Sequence, residues 1–137
     1  MTNDIICGIA LKLSQAFGSE YIVHTEPVVQ GFKAPCFCIQ HLLTMNEPKI
    51  PVRYLQRHSF DVRYFPRCKL NPNKEMHAVA RQLSLYLEYI LVLDNLVKAS
   101  KMSYEIQEGH LHFFVDYNIF VKKQTEDGEL METLIHK

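Results

Sequence analysis

The sequence predicts an α+β fold: a mostly antiparallel β-sheet with two main helices packed on one face. Three observations point there. Residues 2–17 and 71–91 carry apolar side chains at helical spacing. Residues 53–66 and 110–123 instead alternate from one residue to the next, and residues 36–45 form a short run apolar on both faces, the signatures of strands. Pro, Gly and Asn residues punctuate the gaps between these segments. The expected order is helix, three strands, helix, two strands and a tail, which a helix layer on a sheet satisfies.

In the first segment Ile5, Ile6, Ile9, Ala10, Leu13 and Phe17 form one stripe, with Thr2 or Asn3 to cap the start and Gly18 to end it. Gly8 in its interior weakens the helix intrinsically, so the helix depends on packing. Tyr21–Thr25 reads as a short strand, followed by a connection marked by Pro27, Gly31 and Pro35. Cys36–Met45 reads as a second strand. Its two faces, Cys36, Cys38, Gln40, Leu42 and Phe37, Ile39, His41, Leu43, are both largely apolar, which predicts cover on each side. "NEPKIP", residues 46–51, is expected to be a turn.

"RYLQRHSFDVRYFP" follows. His58, Phe60, Val62 and Tyr64 share one face, Ser59, Asp61, Arg63 and Phe65 the other, and Pro66 ends the strand. Arg53, Arg57, Arg63 and Arg67 lie on the second face or just beyond it, where a partner would meet them. Asn71, Pro72 and Asn73 open the second helix, whose stripe is Met76, Val79, Ala80, Leu83, Leu87, Ile90 and Leu91. After Leu93, "DNLVKA" returns to strand or loop. "KMSYEIQ" places Met102, Tyr104 and Ile106 on one face, Gly109 serves the turn, and the last long strand sends Leu111, Phe113, Val115, Tyr117, Ile119 and Val121 to one side. Residues 1–137 are read as a single domain. Residues 124–137 form a tail, with a short helix, an extra strand, and a segment ordered only in assembly as open alternatives.

The totals narrow the function. At 137 residues the chain suffices for one core. Fifteen basic residues balance fifteen acidic ones, so no global field draws polyanions or anionic membranes. The N-terminal segment lacks a basic leader and carries Asp4, and no long apolar run suggests a span, so a soluble, cytosolically made protein is expected. The four cysteines, Cys7, Cys36, Cys38 and Cys68, include C-x-C rather than C-x-x-C, and are expected to be free and mostly buried.

Chemistry-bearing patterns are sparse. His110 and His112 project from one strand face, but no third ligand stands at recognisable spacing, so solvent-facing histidines beside a turn are expected and no metal. Cys68, between Arg67 and Lys69, reads as an exposed loop cysteine rather than a catalytic thiol. Glycines are scattered singly, so no phosphate loop is present. No catalytic residue and no cofactor are expected. The mix of arginines and aromatics in Arg53–Lys69 resembles a single-strand nucleic-acid surface, but alternation turns Phe60 and Tyr64 inward, leaving few stacking platforms. Nucleic-acid contact through this patch is the alternative reading from another class.

Specific residues add a resemblance over nearly the whole chain. An N-terminal helix, "HTEPVVQGFKAPCFCIQ", "RYLQRHSFDVRYFP", a helix ending "LYLEYI" and "GHLHFFVDYNIFV" occur in that order, the sharpest parts being "TEPVVQGFKAPCFCI", "FDVRYFP" and "LHFFVDY". This resembles the tail terminator family, minor structural proteins of tailed phages, prophages and phage-tail-like particles of Gram-positive bacteria. The resemblance implies a non-enzymatic protein of the virion tail. It would form a hexameric ring with itself on the tail tube protein, stop tube polymerisation, and offer a surface to neck or head-completion proteins or to the sheath. Another neck or tail-completion protein is the nearby alternative. In this light Arg53, Arg57, Asp61, Arg63 and Arg67 are candidate subunit or tube contacts, with Phe60, Val62 and Tyr64 holding the strand to its core.

Overall fold

The computed structural model describes residues 1–26, 33–50, 53–123 and 132–134. In chain order the elements are α1 (Thr2–Phe17), β1 (Ile22–His24), β2 (Cys36–Ile50), β3 (Arg53–Phe65), α2 (Pro72–Tyr86), β4 (Tyr89–Val92), β5 (Asn95–Gln107), β6 (His110–Lys123) and β7 (Glu132–Leu134). The sheet order is β1-β2-β3-β6-β5-β4, with β7 added on β6. Among the described residues only the β1–β2 pair is parallel. The α+β prediction therefore holds.

Alternation decides which face the helices cover. Across β3 and β6, Phe60 opposes Val115, Val62 opposes Phe113 and Tyr64 opposes Leu111. All six are buried, and Ile5, Ile9 and Leu13 of α1 and Met76, Ala80 and Leu83 of α2 pack over the same layer. The opposite, outer face carries Arg57, Ser59, Asp61 and Arg63 on β3 and His112, Phe114 and Asp116 on β6. Tyr117, fully buried, donates from its hydroxyl to the Leu87 carbonyl at 2.6 Å and so joins β6 to the end of α2.

Four local expectations need correction. Thr2 is already helical, Met1 occupies the cap position, and no side chain caps α1, although Gly18 does end it at φ 88°. The second helix stops at Tyr86; Ile90 and Leu91 belong to β4, which pairs with Asn95–Lys98 across a two-residue turn. Leu83, Leu87 and Ile90 continue a helical stripe, but Ile90 and Val92 equally form a strand face, and pairing with β5 settles the choice. Third, β2 does not turn at Asn46. It stays paired with β3 to Ile50, with register shifts between His41 and Leu43 and between Pro48 and Ile50, and Pro48 is tolerated because the strand lies at an edge. Fourth, β2 is not covered on both sides along its length: Leu42, Leu43 and Met45 are all about half exposed. Of the tail, residues 132–134 form a strand on β6, and the rest lies outside the described residues.

A candidate assembly surface

Strand β3 lies between β2 and β6, so its outer side chains meet groups from both neighbours. Asp61 shows what this does. Alternation places it outward, yet it is only 3 % exposed. Its Oδ2 accepts from His112 Nδ1 at 2.9 Å and from Arg63 Nε at 3.2 Å, while Oδ1 is buried with no hydrogen-bond partner among the described residues. The expectation that Asp61 is free to meet another subunit is therefore wrong. Long neighbours lie over it and absorb its charge within the chain.

The arginines keep more freedom. Arg53 is exposed at the start of β3. Arg57 is exposed and donates from Nε to Glu47 at 2.8 Å across the β2–β3 pair. Arg63 is half exposed above Asp61. Arg67, beyond the strand end, bonds Glu20 at 3.1 Å and lies 5.8 Å from the centre of the Tyr21 ring. Its own backbone N–H is held by Glu75. These outer ion pairs are solvated, so they orient side chains more than they stabilise the subunit.

Glu75 was not singled out in the sequence, although a carboxylate in the first turn of a helix is a recognisable cue. It accepts from the Arg67 N–H at 2.7 Å, from the Cys68 N–H at 2.8 Å and from the Tyr64 hydroxyl. Burial acts to raise its pKa, but the Tyr64 and backbone hydrogen bonds outweigh this and leave it below the usual carboxylate value. Burial first, then the bond to Glu75, drives the Tyr64 phenol upward. The loop after β3 is thereby fixed to α2.

The histidines and cysteines are structural in placement. His112 is half-buried in its pair with Asp61, and His110 packs its ring 4.4 Å from that of Phe65, so neither simply faces solvent. On the helix-covered side a chain of hydrogen bonds runs from His41 through Thr44 to His58 and Gln56, the last two buried. Among the described residues no cluster of three or more His, Cys, Asp or Glu has metal-binding geometry. All four cysteines are free; Cys36 is buried, Cys38 half-buried, Cys7 and Cys68 exposed. Burial is the main cause pushing the Cys38 thiol up to about 11, with Cys36 adding to it and Arg63 opposing.

For nucleic acid the platforms are few: Phe60 and Tyr64 are buried, and Tyr54 and Phe65 are half-buried. The apolar exposure lies elsewhere. Beyond Cys38 the outer edge of β2 has no strand partner among the described residues, and Leu42, Leu43 and Met45 stand along it. Exposed leucines in β2 were invisible to sequence reasoning, because an apolar residue on a strand reads as buried.

Among the described residues no helix is long and apolar enough to cross a membrane. No match was found among curated proteins. A family model described as phage tail terminator protein matches residues 4–129.

Proposed function

The chain belongs to the phage tail terminator family and is a structural component of phage tails, and from that premise we propose that it caps the tail tube as a ring. In this reading residues 1–137 act as one unit, and copies close into a hexameric ring on the last ring of tube protein. Covering that site stops polymerisation. The other side of the ring receives neck or head-completion proteins, or the end of a sheath. The subunit is made in the host bacterial cytoplasm and incorporated into the virion tail or a tail-like particle. Its action is binding alone, with no catalytic step and no cofactor.

The observation that carries this reading beyond the family match is the outer face of the sheet, on which no helix packs among the described residues, bordered by the apolar β2 edge. Clustered apolar exposure beside charged residues is characteristic of surfaces that meet other proteins. Arg53, Arg57 and Arg63 border this surface, with Arg67 beyond the strand end against Glu20 and Tyr21, and these arginines would set orientation between neighbours; such charges reject wrong registers more than they add affinity. The balanced net charge does not oppose self-association.

The test is the mass in solution by light scattering at several concentrations, alone and with tail tube protein, together with tube lengths by electron microscopy. A hexameric mass in either condition and shortened tubes are expected. A monomer that ignores tubes and leaves their length unchanged would overturn the reading.

A further inference from the structure

The turn joining β4 to β5 breaks a local rule. A two-residue turn of this kind requires positive φ at both central residues, which Gly and Asn supply at least cost. Here Leu93 has φ 51° and Asp94 φ 64°. Leucine is poorly suited to that conformation, and burial offers no compensation, since Leu93 is 56 % exposed. Leu91 and Leu96 face each other across the hairpin and are also exposed. Pairing between β5 and β6 begins only at Ala99 although β6 continues to Lys123, so the hairpin turns away from β6, burying Ile90, Val92 and Val97 on one face and bringing its backbone against Gly8 of α1. What it leaves open is its other face and its tip, Leu91, Leu96 and Leu93.

The outer face of the main sheet contains a matching hollow. A concavity of about 350 Å³ is bounded by Leu42 and Leu43 of β2, Phe114 of β6 and Lys101 of β5, with Ser59 and Ser103 small enough to leave the space open. Its walls are chiefly apolar, and Lys101 stands opposite Asp116 across the β5–β6 pair.

We propose that these are the two halves of one contact, in which the Leu93 hairpin of one copy seats in this hollow on the next. The inference rests on the ring reading above and specifies its interface. A ring of more than two subunits is built from heterologous contacts, in which two different surfaces of one chain fit each other. Both surfaces here are apolar, and their charges are complementary: Asp94, beside Leu93, meets Lys101, and Lys98, further back on the hairpin, meets Asp116. A second copy of this chain is thus the occupant favoured by both shape and charge. A leucine kept at a position that asparagine would fill more easily has its reason in that contact.

Cross-linking tests the contact directly. In a background of Cys7→Ser and Cys68→Ser, one subunit carries Leu93→Cys and another Ser103→Cys. Oxidising the mixture should produce a disulfide-linked dimer, and oxidising either variant alone should not. A second test separates folding from assembly. Leu93→Asn suits the turn, so the melting temperature of the isolated subunit should hold or rise, while half-assembly should need at least tenfold more protein. Asp94→Lys should likewise weaken assembly, and adding Lys101→Asp should restore it. Rings that form normally with Leu93→Asn, or without any cross-link in the mixture, overturn this contact and leave the ring reading intact. A wild-type chain that stays monomeric even with tube protein removes the ring reading, and this contact with it.

Discussion

Gly8 lies directly against Leu91: a methyl group built on Gly8 would stand 2.5 Å from the Leu91 carbonyl oxygen. The absence of a side chain lets α1 approach the backbone of β4. Two effects compete in a Gly8→Ala variant. Helix propensity favours alanine by about 1 kcal/mol. Forcing a methyl into backbone atoms that cannot rotate away costs about 1–3 kcal/mol. The clash should win, so Gly8→Ala lowers stability by up to about 2 kcal/mol in urea unfolding, whereas Gly→Ala in a solvent-facing helix would raise it.

The Asp61 pairing separates an internal role from an assembly role. Asp61→Asn retains the shape and removes the charge that holds His112 and Arg63, which should cost about 1–3 kcal/mol of subunit stability. Arg63→Ala, at a half-exposed position, should cost no more than about 1 kcal/mol. Unfolding curves for the two variants decide this, and equal losses would refute the assignment of Asp61 to the interior.

Glu75 should make stability sensitive to acid. Its folded pKa lies below its unfolded one, so its contribution is fully present above the unfolded value and disappears as pH falls through the folded value. Comparing Glu75→Gln with the wild type isolates this from other carboxylates. The variant should be less stable by about 1–2 kcal/mol at neutral pH, and the gap should narrow from about pH 4 downward. A gap that is constant across that range would mean the Glu75 charge is not involved.

Thiol reactivity should divide the cysteines. Alkylation proceeds through the thiolate, and both Cys36 and Cys38 have pKa values raised chiefly by burial. With iodoacetamide at pH 8, peptide mapping over time should show Cys7 and Cys68 modified first and Cys36 and Cys38 spared. Modification of Cys38 as fast as Cys68 would contradict this.

Much of the fold was legible because alternation and helical spacing report the chain's relation to a single core. The β6 pattern Leu111, Phe113, Val115, Tyr117, Ile119 and Val121 reads directly as one buried face, and all six are buried. The pattern failed where two periods coincide, as at Ile90 and Leu91, and where an edge strand tolerates turn residues, as at Pro48. The candidate surface was harder to read. Alternation tells which way Asp61 points but not that His112, far away in sequence, closes over it. It also assigns Leu42 and Leu43 to an interior, since nothing local distinguishes an apolar side chain left exposed from one that is covered.

Strand β6 has a consequence for the timing of synthesis. It stands at the middle of the sheet, between β3 and β5, yet residues 110–123 come after all but one of the other strands in the chain. While a ribosome is making this protein, β3 and β5 have no central partner and the helices have only part of a layer to cover. Such long-range closure is slow and comes late. A chain interrupted before β6 emerges therefore lacks the strand that joins β3 to β5, and its sheet cannot close.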